Sequence, residues 1–244
     1  MNTKSSLLSI AASCVIFIQG AYCAPVQKTE IDKAVKSQIK RIALIPIGEP
    51  QNVQVIYIGG AAGLFGVLGG LAQGSENAEQ SKKFVSLIKD IKPTLSETLT
   101  IALTQALKED GYEVSIADGQ KPKYLADKKI LDFSEVKVDA DVILCVGYGA
   151  VAYMCSSAKF SARYQPWLII KVQIVDAKTK NDVYSKFFNY GRETRIRDAV
   201  KLPADKKYNY KSADDIMAHS TEAFGGIVDG EKAVAKEVGG DLKQ

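Results

Sequence analysis

Histidine occurs once in the 244 residues, at His219, and tryptophan once, at Trp167. A single histidine excludes the histidine-rich ligand sets of metal centres. Cysteine occurs four times, and two of the four, Cys14 and Cys23, fall in an apolar N-terminal stretch. The nucleophile elbow G-x-S-x-G is missing, as are H-E-x-x-H, C-x-x-C and the phosphate-binding G-x-x-x-x-G-K-[ST]. Neither a metal nor a cofactor is expected. Charge of one sign is not in excess either. The formal net charge is +4, and it falls to +3 when residues 1–23, with one Lys and no acid, are set aside. So mild a balance does not predict nucleic acid as a partner, and none is expected.

What is present is an ordinary globular composition, 46% hydrophobic and 25% charged. The N-terminus combines Lys4, the apolar run Leu7–Ile18 and a small-residue exit at Ala21 and Cys23. This reads as a secretory signal over residues 1–23, cleaved after Cys23. The alternatives are acylation at Cys14, within Ala11-Ala12-Ser13-Cys14, and retention as an anchor. Twelve apolar residues are short for a membrane span. Export sends the chain to the periplasm, where a disulfide between Cys145 and Cys155 is permitted. On one continuous strand those sulfurs lie about 33 Å apart and cannot bond. A turn at Gly149-Ala150 would set them face to face across a hairpin.

Residues 24–40 read as a linker or short helix, and 41–244 as one α/β (α+β) domain. RIALIPI (41–47) suits a buried strand, and NVQVIYI (52–58) alternates as a second. Residues 76–91 form a polar helix with an apolar seam. Thr94 and Glu97 make a capping box for a helix with an apolar stripe from Leu95 to Leu107, closed by Gly111. Tyr112, Val114 and Ile116 alternate as the next strand. Residues 118–138 are a loop with a weak element. Residues 141–154 read as a long strand, and 161–177 with 183–191 as an antiparallel hairpin. Ser212 caps a final helix, where Gly225, Gly226 and Gly230 predict a kink. The expected architecture is a single mixed, largely antiparallel sheet with two long helices packed on it.

One stretch departs from this pattern. Residues 50–75 hold no charged residue and seven of the nineteen glycines, as an insertion in the domain. Within it Ala62, Gly66, Gly70 and Gly74 recur at every fourth position, and Gly59 and Gly63 share that spacing. On a helix this makes a smooth face of the kind used by G-x-x-x-G pairs. Leu64 and Phe65 supply apolar surface beside it. Segment 59–74 is therefore the candidate contact for a membrane, for further copies of the chain or for a partner. A packed glycine loop is the fourth alternative. The helix-compatible part is about 21 Å long, too short for a single span.

Two further constellations invite a functional reading. Asp215 and His219 share one helix face, one turn apart, as an acid–imidazole pair would in a hydrolase. They equally suit a surface histidine beside capping acids. Arg192, Arg195, Arg197, Lys206 and Lys207 form a basic, tyrosine-containing stretch. It fits anionic headgroups or a partner, or a solvated loop that guards a sheet edge.

The combination of RIALIPI, GGAAGLFGVLGG, LSETLTIALTQALKEDGYEV and ADVILCV resembles a group of exported proteobacterial envelope proteins. The order of elements is similar to the α/β scaffold of the curli-secretion lipoprotein, the penicillin-binding-protein activator lipoproteins and the amino-terminal domain of the Tol-system β-propeller protein. The resemblance implies a non-catalytic envelope role, as a binding or assembly module in the periplasm or at the outer membrane. Its partners would be other envelope proteins or further copies, and no catalytic residue carries over. The chain departs from the lipoprotein members in that its apolar run continues beyond Cys14, so that Ala11-Ala12-Ser13-Cys14 fits a lipobox only loosely. Two other functions remain as alternatives: a periplasmic hydrolase using Asp215 and His219, and a carrier of a small apolar ligand.

Overall fold

The computed structural model describes residues 30–59, 66–127, 130–156, 162–192 and 198–243, with the backbone alone for 66–73. The leader and its cysteines lie outside these residues. The chain enters through a short helix, α1 (Lys33–Lys36), whose cap Asp32 accepts from the Ala34 amide. Strand β1 (Arg41–Leu44) follows, then β2 (Gln54–Ile58) and the long helix α2 (Gly66–Ile88). Next are α3 (Leu95–Glu109), β3 (Glu113–Ile116), β4 (Lys123–Leu125), β5 (Ile130–Asp132) and the 15-residue β6 (Val142–Ser156). The rest comprises β7 (Gln165–Asp176), β8 (Asp182–Gly191), β9 (Val200–Leu202), α4 (Ala213–Ala218) and α5 (Ser220–Leu242).

The main sheet runs β3-β1-β6-β7-β8-β9, with β2 beside the far half of β6. Its two long ladders, β6–β7 and β7–β8, are antiparallel, while β1, β2, β3 and β9 join in parallel. The sheet is mixed and largely antiparallel, as its sequence implies. The stretch read as a loop with a weak element carries a second, two-stranded sheet, β4–β5. Three long helices, α2, α3 and α5, contribute to the main core. Its fully buried members include Phe84, Leu99, Leu103, Tyr153 and Phe188.

Local signals explain several boundaries. Thr94 accepts from the Glu97 amide and Glu97 accepts from the Thr94 amide, so both halves of the capping box are made. Such a cap stabilises by about 1 kcal/mol. Gly111 stops the helix at φ 90°, a left-handed conformation that disfavours a side chain. At the other end of the chain, the break between α4 and α5 falls at His219. It does not fall at Gly225, Gly226 and Gly230, through which α5 continues as helix. Tyrosine rings explain two of these glycines. A Cβ on Gly226 would stand 2.5 Å from the Tyr153 hydroxyl, and one on Gly230 2.6 Å from the Tyr190 ring.

Cys145 and Cys155 lie on β6, which is one strand and not a hairpin, and both thiols are free. The chain does not turn at Gly149-Ala150. A β-bulge interrupts the register there. One extra residue reverses which side chains face the helices. Before it Val142, Leu144 and Val146 join the main core. After it Val151 and Tyr153 do, while Ala152 and Met154 turn to the opposite face.

Candidate functional site

The charge-free stretch is anchored at both ends. NVQVIYI makes β2, which pairs with β6 from Gln54–Ala152 to Ile58–Ser156. Residues 50–58 are thus part of the sheet and its approach, and only the following residues leave it. Among the described residues β2 pairs only with β6, and α2 closes its outer edge with side chains. The Tyr57 amide donates to Asn77 Oδ1 at 3.0 Å, and Asn77 Nδ2 donates to the Tyr57 carbonyl at 3.1 Å. The Val55 amide donates to Ser81 Oγ at 3.0 Å. Asn77 therefore exchanges two bonds with one residue, as a neighbouring strand would, and the edge is covered. The spacing works because two strand residues rise about 6.7 Å and four helix residues about 6.0 Å. Matching rises keep α2 alongside β2, running in the opposite direction.

This clamp sets the geometry of what lies beyond it. From Asn77, α2 continues back through eleven residues to Gly66, roughly 16 Å of helix. The last described strand pair, Ile58–Ser156, lies only one residue past the clamp, about 3.3 Å. The first turns of α2 thus project from the end of the sheet. The ten residues Gly66–Ser75 carry no charge, and Glu76 follows. Gly59 stands at φ 131° at the exit of β2. Gly66 and Gly70 lie in the helix, and Gly74 is exposed with open space where a Cβ would sit. Ile58, 52% exposed, presents apolar surface at the same end. Gly63, Leu64 and Phe65 lie outside the described residues.

The basic stretch starts at this same end. Arg192 donates through Nη2 to the carbonyl and hydroxyl oxygens of Ser156, the residue paired with Ile58. Asn189 accepts from Trp167 Nε1 at 3.1 Å and donates to the Arg192 carbonyl, fixing the turn. Arg163 is exposed beside Tyr164, which bridges to Tyr210. Burial and the nearby Glu76 push the Tyr164 hydroxyl up to about 12. Lys207 is occupied differently: it pairs with Asp205 at 3.5 Å and Asp229 at 3.9 Å, over the Tyr208 ring. Lys206 is exposed on the 3-10 turn Lys206–Tyr208. Arg195 and Arg197 lie outside the described residues.

The Asp215–His219 pair forms a helix junction. His219 Nδ1 lies 2.9 Å from the Asp215 carbonyl and 3.3 Å from its carboxylate, and the ring stacks on Tyr210. The bond to the Asp215 carbonyl raises the imidazole pKa. Asp215 also accepts from the Lys211 amide, so it closes the turn before α4. Both cysteines are weakly acidic: burial holds Cys145 at about 11 and raises Cys155. A groove of about 780 Å³ runs between α3 and α5, past Ala102, Phe224, Val228 and Lys232. Among the described residues no three His, Cys, Asp or Glu side chains are grouped as metal ligands.

Sequence reasoning passed over one buried acid. Glu231 is fully buried on α5 and accepts from the Tyr148 hydroxyl at 2.6 Å. Desolvation pushes its carboxyl up to about 8, against the opposing pull of that bond. Four further tyrosines hold the same helix. Tyr153 donates to the Ala223 carbonyl, Tyr208 to Asp229, Tyr184 to Asp241 and Tyr112 to the Leu242 carbonyl. Lys186 joins Asp241 at 2.6 Å. The signal for Glu231 was its spacing, four residues after Ile227 and three before Val234, on a buried stripe.

No protein-family model and no characterised protein sequence matches the chain. Among solved structures it is similar to protein XCC0632 from Xanthomonas campestris. That match covers 90% of this chain and 92% of the other, at 8% identity and a TM-score of 0.43. The PelC dodecamer from Paraburkholderia phytofirmans is matched over 88% of this chain and 94% of that one, at 10% identity and a TM-score of 0.33. Protein CT253 from Chlamydia trachomatis is matched over 84% and 98%, at 8% identity and a TM-score of 0.39. All three likenesses are distant and concern the course of the backbone. Among the described residues no helix is long and apolar enough to cross a membrane.

Proposed function

We propose that the protein is an exported component of the cell envelope that works by contact and not by catalysis, as an interaction or assembly module. Its contact is the glycine-rich segment 59–74. The observation that supports this is the clamp of Asn77 and Ser81 on β2, which holds the charge-free start of α2 out beyond the sheet. An uncharged helix end poor in helix formers gains little from water, so a contact surface must compensate.

The test is the double variant Gly66→Leu, Gly70→Leu. Sedimentation velocity and fractionation of the native host would report assembly and membrane attachment. Expected is an altered distribution with far-UV circular dichroism and the urea midpoint unchanged: self-assembly is lost where the glycine face packs on protein, and attachment is strengthened where the helix enters lipid. Collapse of the fold would assign the segment to the core and end the proposal, as would an unaltered distribution.

A further inference from the structure

Resting on that reading, we infer that the occupant of the projecting end is one leaflet of an anionic lipid bilayer, entered by the first turns of α2 and framed by Arg163, Arg192 and Lys211. Length is the first argument. Gly66–Ser75 spans ten uncharged residues, about 15 Å of helix. The hydrocarbon core of a bilayer is about 30 Å thick, so this matches half of it. No helix among the described residues is long and apolar enough to cross a membrane.

The boundary of the uncharged helix is the second argument. Glu76 is its first ionised side chain, and Asn77, the next residue, holds Tyr57. Charge begins where the sheet begins, so the level of Tyr57 marks the depth at which insertion would stop. Ile58, just past that level, is exposed and apolar.

The third argument is the frame of cations. Arg192 is fixed against Ser156, across the ladder from Ile58. Arg163 and Lys211 are exposed and adjoin the antiparallel bridge Tyr164–Tyr210. The nearby acids are Glu76, at the clamp, Asp214, paired with Lys83, Asp215, engaged with the Lys211 amide and His219, and Glu222, which acts on Tyr210 and His219. An uncharged projection with basic groups at its base is the pairing by which proteins bind a membrane surface without spanning it. A second copy packed on this end about a two-fold axis would bring the same cations face to face, which disfavours that arrangement.

The probe is flotation of the full exported chain with vesicles of phosphatidylglycerol in phosphatidylcholine, compared with phosphatidylcholine alone. Sedimentation velocity without lipid is run in parallel. Expected is binding to the anionic vesicles that weakens with salt. Leu68→Glu with Leu71→Glu should reduce it by at least about tenfold. Arg163→Gln should reduce it about fivefold at low salt. An unchanged urea midpoint confirms that these variants fold. No flotation with anionic vesicles at low salt overturns the inference, and so does flotation that the double Glu variant leaves intact. If lipid is ignored while the wild type self-associates and Gly66→Leu, Gly70→Leu does not, the contact role stands with a second copy as occupant. If neither occurs and fractionation shows no attachment, both readings fall.

Discussion

Replacing Glu231 with glutamine isolates the energetic consequence of burying an acid between α5 and the sheet. Glutamine keeps the shape and the acceptor for Tyr148 and removes the proton equilibrium. In the unfolded chain a glutamate titrates near its ordinary value of 4.5, whereas the folded protein keeps the proton until about 8. Between those values the folded state binds more protons than the unfolded state. Wild-type stability therefore falls as pH rises through that window. At 1.36 kcal/mol per pH unit, the full interval amounts to about 5 kcal/mol. The groups around the carboxyl are Tyr148 on β6, Glu49 in the loop after β1, and Lys232 beside it on α5. Of these, desolvation dominates. Urea unfolding of wild type and Glu231→Gln from pH 4.5 to 8.5 reads the effect. The variant should match the wild type at the acid end and exceed it increasingly from about pH 5 up to about pH 8. A difference that stays constant across the range would refute the assignment of a buried, protonated Glu231.

Two other substitutions probe the clamp and the helix face. Asn77→Ala removes both bonds to Tyr57 and should destabilise by about 1–3 kcal/mol; hydrogen exchange should speed up at Tyr57 and Val55 more than in β7, and uniform exchange would contradict the local role. Gly226→Ala drives a Cβ to 2.5 Å from the Tyr153 hydroxyl and 2.8 Å from the Tyr208 ring, whereas Gly240→Ala meets nothing within 4 Å. The first should lower the thermal midpoint and the second raise it, by about 1 kcal/mol of helix propensity; equal signs would show that the tyrosine contacts do not decide these positions.

Local elements were readable in the residues that make them. The capping box at Thr94 and Glu97, the stop at Gly111 and the β7–β8 hairpin each depend on neighbours a few positions apart. Long strands at β6 and β7 follow from runs of β-branched and aromatic residues. What required the structure was pairing across distance. Nothing near NVQVIYI tells that β2 lies beside residues 152–156, or that Asn77 would finish its edge. The helix seam at Phe84 and Ile88 was visible, yet its continuity with the glycine-rich turns upstream was not. Glycine propensity argued against a helix there, and its joining to a docked helix prevailed. Glu231 was missed because a charged residue is discounted as core until its partner, Tyr148, is placed by the bulge. Of the candidate contact, the lack of charge was plain in the sequence. Its adjacency to Arg192 came from the register of four strands.

The tyrosine hydroxyls along α5 also fix its position lengthwise. The buried face of α5 mixes Gly226, Gly230, Ala223 and Ala235 with Ile227, Val234 and Val238, and van der Waals contact between such side chains is not directional. Hydroxyl bonds are, because each needs its oxygen within a few tenths of an ångström. Acceptors at Ala223, Asp229, Glu231, Asp241 and Leu242 occupy both ends and the middle of the rod. A displacement of 5.4 Å, one turn, would break all five together. The sheet thus indexes the helix like teeth on a rack. Load applied at the projecting end of the molecule would meet a body with one permitted alignment.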